Sequence, residues 1–373
     1  MFGLEPILEK ELILLGAKDI KIGNRHVEFE GNKELLYKAN IKLRTALKIL
    51  KKLKSFRAKK ETELYKQVSR IKWYNLFGNN NTFSISSTVN SKYFTHSNYV
   101  SLIIKDAIVD QFKNKYNLRP SIDLKNPDFN IHIHISHDQC SLYLNSSGTS
   151  LHKRGYRTNQ FRAPINEVLA AGIILMSDWN KEQLFIDPMC GSGTFLIEAG
   201  LIKIHRAPNI YRKIFGFQKW RDYDHSLFKE IKSQLLREEK TSNGKIIGFD
   251  ISATAIITAQ QHVKNMRLHN TISINGADFL NSDGFENATI ILNPPYGKRI
   301  ELKENYYKEI GDTLKQKYIN TSAWIISSDM DGIKKIGLRA TKKIKLFNGA
   351  LECKLVNYKI YKGSKKVNKA LGA

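Results

Sequence analysis

Apolar residues recur at helix and strand spacings along the chain, and the order of the elements they predict changes near residue 150. Residues 4–15 place apolar side chains at helical spacing, and Gly16 follows as a stop signal, which predicts a helix. Further elements predicted before residue 150 are strands at 18–22, 26–30, 46–53, 82–89, 128–136 and 139–146, and helices at 33–43, 62–71 and 99–116. These elements predict two small α+β units, over residues 1–58 and 59–150.

From residue 151 onward, strands and helices alternate. The predicted strands are 184–187, 245–250, 271–275, 289–293 and 322–327, and the predicted helices are 165–176, 194–204, 225–238, 253–267 and 303–317. Such alternation implies a mostly parallel, doubly wound α/β sheet over residues 151–362. Residues 363–373 are predicted to form a frayed basic tail.

Composition limits the classes of protein that the chain can belong to. At 373 residues, with 42% hydrophobic and 25% charged residues, it resembles a globular protein of several domains. No run of 18 apolar residues predicts a membrane span, and the acidic N-terminus argues against a signal peptide. Three widely spaced cysteines fit a reducing cytoplasm. His132 and His134 could face one side of a strand, but no third ligand is nearby, so we predict no metal site.

The formal net charge of +25 is the strongest global indication of a partner. Such a charge attracts polyanions such as nucleic acid. Residues 42–60 contain nine Lys or Arg and no acid, among them Lys51, Lys52 and Lys54. This run is either a track for RNA phosphates or a solvated face. For the net charge of the whole chain the alternative is codon bias, which the uneven spread of the basic residues disfavours.

The predicted strand at 289–293 ends abruptly in Asn293-Pro294-Pro295-Tyr296. Two prolines forbid further ladder pairing, so an amide, a free carbonyl and an aromatic ring are held at the carboxyl end of a strand. Open α/β sheets bind their ligands there. The Asn293 amide oxygen and the Pro294 carbonyl can accept both hydrogens of an exocyclic amino group while Tyr296 stacks on the base. This pattern suggests methyl transfer to a nucleobase or a similar planar amide nitrogen.

A second motif joins a strand to a helix through a glycine turn at residues 185–194. Gly191 and Gly193 let the backbone approach a ligand, and Thr194 is predicted to cap the helix. The nicotinamide fingerprint would need a third glycine where this chain has Leu196, and an acid about 20 residues on. A lone Gly-x-Gly turn is weak evidence for a ligand, and these departures disfavour a dinucleotide site.

Acids follow three successive strands. Asp187 and Asp250 end their strands, and Asp278 follows the next one. Asp250 can accept both hydroxyls of a ribose and Asp278 an adenine amino group, although each alone is more often a cap or turn residue. With the glycine turn and no triphosphate loop, the set fits S-adenosylmethionine. Cys190 lies within the turn, where packing is favoured over a catalytic thiol because the sequence offers no basic partner.

The motifs together resemble those of class I methyltransferases, and more closely those of the THUMP-domain RNA methyltransferases of the 23S rRNA guanine-N2-methyltransferase family. The motifs that carry the resemblance are FGLEPILEKEL (2–12), LHKRGYR (151–157), DPMCGSGTFLIEA (187–199), FGFQKWRDYD (215–224), NPPYGKR (293–299) and LFNGALECKL (346–355). The resemblance implies a ferredoxin-like unit, a THUMP unit and a Rossmann-like catalytic domain. Family members begin with a strand before the first helix, so we expect the first strand to be absent from this sequence.

The resemblance also implies roles for individual residues. The implied cofactor-binding residues are Asp187, Pro188, Cys190, Gly191, Gly193, Thr194, Asp250, Ile251, Asp278, Phe279 and Asn293. Asn293, Pro294 and Tyr296 would hold the target base. Lys153, Arg154 and Arg157 of the basic loop would contact RNA together with Lys51, Lys52 and Lys54. FGFQKWRDYD places the segment 205–243 in the family without assigning it a role.

The expected function is therefore transfer of a methyl group from S-adenosylmethionine to the exocyclic N2 of a guanine in large-subunit ribosomal RNA. Two alternatives stay open. The same reaction could act on DNA adenine or a protein glutamine, although the basic charge argues against a protein. A non-catalytic RNA-binding assembly factor is the other alternative, which the intact Asn-Pro-Pro-Tyr motif disfavours. We expect a cytoplasmic protein with RNA as partner and with no membrane and no metal.

Overall fold

The computed structural model describes residues 1–157, 164–242, 245–295 and 305–363. The helices in these ranges are α1 (Glu5–Leu14), α2 (Lys33–Lys42), α3 (Glu61–Ser69), α4 (Ser97–Tyr116), α5 (Glu167–Met176), α6 (Thr194–Lys203), α7 (His225–Arg237), α8 (Ala253–Asn265), α9 (Tyr306–Lys317) and α10 (Met330–Lys335). Short 3-10 turns span Trp73–Asn75, Gly216–Lys219 and Phe279–Asn281.

The strands in the same ranges form three sheets. They are β1 (Lys18–Gly23), β2 (His26–Glu30), β3 (Leu50–Arg57), β4 (Thr82–Asn90), β5 (Ser121–Ile122), β6 (Phe129–Ser136), β7 (Gln139–Asn145), β8 (Leu184–Asp187), β9 (Ile246–Asp250), β10 (Ile272–Gly276), β11 (Ala288–Leu292), β12 (Thr321–Ser327), β13 (Ala340–Asn348) and β14 (Leu351–Ile360). Most predicted elements are present within a few residues.

The N-terminal half contains a two-stranded hairpin, β1–β2, and a five-stranded sheet in the order β3-β7-β6-β4-β5. The strand predicted at 46–53 lies four residues further on, as β3, and pairs with β7 from the second predicted unit. Its lysines explain this position, because charged side chains are tolerated on an edge strand. The part of the basic run that lies in β3, with Lys51, Lys52 and Lys54, therefore follows a sheet edge. The predicted strands at 128–136 and 139–146 form a hairpin as β6 and β7, with His137 at φ 55° in the turn between them.

The two histidines of β6 are sheet residues. The Ser86 hydroxyl lies 2.9 Å from His132 Nδ1, and burial lowers the pKa of His132 to about 4, helped by Lys48 and His134. Across the described ranges, no cluster of three His, Cys, Asp or Glu side chains could hold a metal ion. The same part of the chain has no helix that is both long and apolar enough to cross a membrane.

The catalytic half is built on a seven-stranded sheet in the order β10-β9-β8-β11-β12-β14-β13. Its first five strands are parallel, as the alternating pattern predicts, and β14 and β13 add an antiparallel edge. Asn348 pairs with Leu351 across the tight turn that links those two strands. The fold is therefore an α/β catalytic domain preceded by α+β elements.

Three apolar cores hold these elements together. One core joins the N-terminal half to side chains from residues 207–235, and the other two lie on the two faces of the catalytic sheet. Leu4, fully buried, packs in a catalytic-domain core, where a Cβ on Gly172 would lie 2.6 Å from it. The two halves of the chain therefore exchange core residues in both directions.

Candidate active site

Four parallel strands end at one edge of the catalytic sheet, in the order β10, β9, β8 and β11. Asp187, at the end of β8, pairs with Gly248 of β9, and Gly276 of β10 pairs with Asp250. On the other side of β8, β11 is in register through Ile290 and Ile186, three residues before Asn293. The register therefore brings the glycine turn, the acids and the Asn-Pro-Pro motif to the same edge.

The glycine turn after β8 is fixed by main-chain hydrogen bonds. Cys190 N–H donates to the Phe249 carbonyl at 2.8 Å, and Gly193 N–H donates to the Cys190 carbonyl at 2.8 Å. Gly191 and Gly193 have φ of 52° and 80°, in the left-handed region that favours glycine. Among the described residues, a Cβ on Gly191 would meet nothing within 4 Å, so within that part of the chain open space faces the turn at this residue. A ligand can approach the backbone there.

Thr194 does not cap α6, so the predicted cap is wrong. The N-cap position is Gly193, and Thr194 is already the first helical residue. Its hydroxyl instead accepts a hydrogen bond from Arg157 Nη2 at 2.8 Å. Cys190 is buried, and burial raises the pKa of its thiol, with Asp187 and Asp250 adding to the rise. A protonated, buried thiol fits packing and is unsuited to nucleophilic attack.

Asp250 binds the glycine turn directly. Its Oδ2 accepts from Gly191 N–H at 2.8 Å and its Oδ1 from Ser252 N–H at 2.9 Å. Each carboxylate oxygen has two lone pairs, so acceptor capacity remains for two hydroxyl groups. The next side chain, Ile251, is 80% exposed. An exposed branched apolar side chain beside a free carboxylate is a suitable surface for a nucleoside.

Asp187 is buried beneath the turn, with 1% of its surface exposed. Met189 N–H donates to Asp187 Oδ1 at 3.3 Å. Burial raises the pKa of this carboxyl well above its usual range, and the charge of Asp250 adds to the rise. A bound ammonium group would stabilise the carboxylate and lower that pKa again. Pro188, which follows Asp187, is also buried.

Asp278, which follows β10, is the third acid of the site. Its Oδ1 accepts from Leu280 N–H at 3.0 Å, and its Oδ2 from Asn281 Nδ2 at 2.7 Å. Asp278 therefore caps the following 3-10 turn, which is the structural alternative to a ligand-binding role. One lone pair on each oxygen still remains for a ligand. The Phe279 ring is 2% exposed and lies 5.4 Å from the Tyr318 ring. Contact between Phe279 and a cofactor therefore requires its main chain.

The Asn-Pro-Pro motif leaves one polar atom without a partner. Within the described residues, the buried Oδ1 of Asn293 makes no hydrogen bond. Pro294 follows in a buried position and has no N–H to offer. Leaving a buried acceptor unsatisfied costs about 1–3 kcal/mol, so Asn293 is suited to receive a donor from a ligand. Tyr296 lies outside the described residues, and its predicted stacking on the base remains a prediction.

The basic loop at 151–157 divides into three different environments. Lys153 is exposed, as an RNA contact requires. Arg154 is 1% exposed and forms a buried ion pair with Glu198, with Nε–Oε1 at 3.2 Å. The predicted RNA contact of Arg154 is therefore wrong, because reaching solvent would leave Glu198 buried without its partner, at a cost of roughly 3–5 kcal/mol.

Arg157 is directed at the glycine turn, so its predicted contact with RNA does not fit its position either. Nη1 donates to Ser192 Oγ at 3.2 Å and Nη2 to Thr194 Oγ1. Nε forms an ion pair with Glu167 Oε1 at 2.6 Å. Of these partners, Ser192 belongs to the glycine turn and Thr194 is the first residue of α6, whereas Glu167 belongs to α5. Arg157 is therefore a residue that positions the cofactor turn.

Two further residues support the site, and no motif in the sequence singles them out. His262 on α8 faces the Ser192 carbonyl through Nδ1 at 3.0 Å, and burial lowers its pKa, so the neutral ring donates through Nδ1–H. The Tyr306 hydroxyl lies 3.7 Å from Met189 Sδ. Burial raises the pKa of Tyr306 to about 12, and Asp278 and Asp250 contribute to the rise. A histidine within a helical pattern and a tyrosine at a helix start give no distinctive sequence signal.

The three lysines of β3 lie along the exposed edge of the five-stranded N-terminal sheet, and nearby acids neutralise part of their charge. Lys51 lies 3.8 Å from Asp222 and Lys52 3.2 Å from Glu28. Lys54 donates to the Gln67 side chain and carbonyl, both at 3.0 Å. These interactions leave the edge basic but reduce the charge that it can offer to phosphates.

Comparison with known proteins adds family membership to this geometry. The profile described as RMKL-like, methyltransferase domain, matches residues 154–357, which is more than half of the chain. A THUMP domain profile matches residues 58–145, and an RlmL ferredoxin-like domain profile matches residues 1–50. The chain belongs to the RMKL-like methyltransferase family.

Relatives of this RMKL-like methyltransferase extend over nearly all of its length. A Synechocystis protein named "Putative RNA methyltransferase slr0064" is 36% identical over 367 residues, which cover 96% of this chain and 95% of that protein. "Ribosomal RNA large subunit methyltransferase K/L" of Aliivibrio fischeri is 35% identical over 368 residues. That match covers 96% of this chain and 52% of the relative, so the chain spans about half the length of the K/L relatives.

A solved structure is similar over both chains. SMU.472, described as "a putative methyltransferase complexed with SAH", is 30% identical and superposes with a TM-score of 0.86 over 97% of each chain. The catalytic domain therefore has the class I methyltransferase fold, and S-adenosylmethionine is its cofactor. The residues fit that cofactor: open space faces Gly191, Asp187 is a buried acid suited to an ammonium, and Asp250 retains acceptor capacity for a ribose.

Proposed function

We propose that this methyltransferase methylates the exocyclic N2 of a guanine in large-subunit ribosomal RNA, in the cytoplasm. The observation that carries the proposal is the buried Oδ1 of Asn293, which has no hydrogen-bond partner among the described residues and lies at the strand edge that also holds the cofactor acids. An amide oxygen in that position accepts a hydrogen bond from a ligand, and an N–H group is a suitable donor. A guanine amino group supplies two such hydrogens.

Asn293 and Pro294 would act by orienting the amino nitrogen. Its lone pair is delocalised into the guanine ring, so the free base is a poor nucleophile. Hydrogen bonds to Asn293 Oδ1 and to the Pro294 carbonyl favour a more tetrahedral nitrogen and aim its lone pair. When bound, S-adenosylmethionine supplies an electrophilic methyl group on a sulfonium.

Orientation is the largest contribution expected from the protein. Holding the nitrogen in line with the methyl carbon can supply several kcal/mol of the barrier reduction. Stacking of the base on an aromatic ring contributes roughly 1–3 kcal/mol, and Tyr296 of the motif is the residue proposed for it. The nitrogen can lose its proton after methyl transfer, so the proposal assigns no general base.

RNA as the substrate is supported by the N-terminal half of the chain. Residues 58–145 match a THUMP domain, and the K/L relatives are named for large-subunit ribosomal RNA. The net charge of +25 and the exposed lysine edge of β3 suit a phosphate backbone. The target guanine must lie outside a helix or be flipped from it to reach Asn293.

Radiolabelled S-adenosylmethionine and unmodified ribosomal RNA test the proposal directly. After incubation, the RNA is digested and the labelled nucleoside identified. Label in N2-methylguanosine is the expected result. Label in another nucleoside, or in DNA or protein supplied in parallel, would move the target to the corresponding alternative. Cofactor binding without label in any fraction would contradict the catalytic proposal.

A further inference from the structure

The segment between α6 and β9 leaves the catalytic domain and packs on the N-terminal half. The Tyr37 ring of α2 stacks on Phe217 with centroids 4.4 Å apart, and the Tyr37 hydroxyl accepts from Asp224 N–H at 2.9 Å. The segment's apolar side chains in the N-terminal core are Ala207, Ile210, Phe215, Phe217, Trp220, Phe228, Ile231 and Leu235. Residues 205–242 therefore pack with the N-terminal half of the chain, although they lie far from it in the sequence.

Arg212 binds this segment to the chain that connects the two halves. It is 9% exposed, and its guanidinium collects carbonyl oxygens between β7 and α5. Those acceptors are the carbonyls of Ser147 (3.2 Å), Thr149 (2.6 Å), Ser150 (3.1 Å) and Lys153 (3.4 Å). Burial lowers the pKa of Arg212 to about 10, with Arg154 adding to the effect, so it remains a cation at neutral pH. The planar fork fixes where each carbonyl lies.

Main chains also meet directly at this junction. Phe217 N–H donates to the Ser146 carbonyl at 2.9 Å. A Cβ on Gly216 would lie 2.7 Å from the Asn145 carbonyl oxygen and 2.8 Å from Gly148 N. Even one methyl group would push the segment away from the connection, because 2.7 Å is shorter than a carbon–oxygen approach permits.

A second set of interactions continues from the N-terminal half to the cofactor turn. Arg44, after α2, donates through Nη2 to the carbonyls of Leu201 (3.2 Å) and Arg206 (2.8 Å). Arg154 donates to the Arg44 carbonyl at 2.7 Å and pairs with Glu198 on α6. Helix α6 begins immediately after the glycine turn. The N-terminal half is therefore attached to the helix that carries the cofactor turn.

We propose that residues 205–242 are a spacer that fixes the distance between the RNA-contacting units and Asn293, and that this distance selects the guanine that is methylated. The inference rests on the proposed function. The two halves are rigidly joined. RNA that is bound at the β3 edge and at Lys153 can therefore place in the active site only nucleotides that lie at one fixed distance from those contacts. Arg212 is a positioning residue, since its hydrogen bonds reach neither the cofactor acids nor the Asn-Pro-Pro motif.

Arg212→Gln tests the spacer, with Lys213→Gln as the matched control because Lys213 is the exposed neighbour with the same charge. The labelled guanines are mapped in ribosomal RNA, and cofactor affinity is measured by calorimetric titration. We expect Arg212→Gln to lower kcat/KM for the RNA about tenfold and to spread label to additional guanines, with cofactor affinity unchanged. Lys213→Gln should match the wild type.

Gly216→Ala is the second variant, since it displaces the segment without removing a buried charge. It should spread label in the same way, and it keeps the test decisive where Arg212→Gln fails to fold. A folded variant of either kind that still labels one guanine with wild-type kcat/KM overturns the spacer.

Failure of the proposed function gives a different result. Wild-type protein would then form no N2-methylguanosine, and scanning calorimetry would judge the spacer alone. The wild type and Lys213→Gln should unfold in one sharp transition, whereas Arg212→Gln should unfold over a broader temperature range because the two halves are less tightly coupled. An equally sharp transition in Arg212→Gln would contradict the spacer.

Discussion

The active site has a cofactor half and a target half, and these differ in how completely the protein itself satisfies their hydrogen-bonding groups. On the cofactor side, Asp250 already accepts Gly191 N–H and Ser252 N–H, and Asp278 caps its own turn. On the target side, Asn293 Oδ1 is buried without a partner among the described residues. The cofactor side is therefore preorganised, whereas the target side depends on the substrate for its last hydrogen bond.

This difference has an energetic meaning. An unsatisfied buried acceptor is tolerated at a cost of about 1–3 kcal/mol, which a correct substrate returns when it donates. A substrate that lacks a hydrogen-bond donor at that point leaves the cost in place. The target half can therefore discriminate between bases, while the cofactor half contributes affinity. Substitutions made in one half at a time should separate these two contributions.

Asn293→Ala should give the largest effect, confined to turnover. Removing the acceptor should lower kcat about 10²–10³-fold, the range seen when one preorganised hydrogen-bonding group is removed. Cofactor affinity, measured by calorimetric titration, should stay close to the wild-type value. Asn270→Ala, at an exposed surface position, is the control. Equal losses of turnover and cofactor affinity would contradict the assigned role.

Asp250→Ala should reverse that pattern by weakening cofactor binding first. The substitution removes two charge-assisted hydrogen bonds that hold Gly191 and Ser252, together with the acceptor proposed for the ribose. We expect the dissociation constant to rise about 10–100-fold, because a hydrogen bond to a charged group is worth roughly 1.5–3 kcal/mol. The exposed Asp283→Ala is the control. Unchanged cofactor affinity would place the ribose elsewhere.

Arg157→Gln tests whether the basic loop serves the cofactor half. Loss of the donors to Ser192 and Thr194 should loosen the glycine turn and raise the cofactor dissociation constant about tenfold, with Arg157→Lys intermediate. Lys153→Gln in the same loop should leave cofactor binding unchanged and weaken RNA binding. If Arg157→Gln instead weakened only RNA binding, Arg157 would be an RNA-binding residue, as its basic surroundings in the sequence suggest.

Pattern and motif predicted the fold and the cofactor edge, because both depend on local sequence. Strand periodicity, glycine turns and residues at strand ends are all readable within a few positions of one another. Arg154 was misassigned because its partner, Glu198, lies 44 residues away, and the contact of Arg157 with Thr194, 37 residues away, was likewise not readable from the sequence. Charge alone cannot distinguish an exposed arginine from one that is buried against a distant carboxylate.

The same reasoning applies to the segment 205–242. Its aromatic residues predict a core but not which core, and the structure places them with Tyr37 and the N-terminal units. A strand predicted for the first unit likewise pairs with β7. Long-range packing decided each of these outcomes, and a single sequence contains no local signal for it.

Charge reversal at Lys51, Lys52 and Lys54 should give the smallest effect, since Asp222 and Glu28 already neutralise part of this edge. We expect RNA affinity to fall several-fold and the salt dependence to flatten, by roughly 0.7 to 0.9 in the log–log slope for each phosphate that the edge no longer neutralises. Cofactor affinity should not change. Reversal at Lys334, Lys335 and Lys343, exposed on α10 and β13, provides an equal change of charge away from β3. If both triple variants lowered the slope equally, the effect would come from net charge. The β3 edge would then be a solvated face with no specific role in RNA binding.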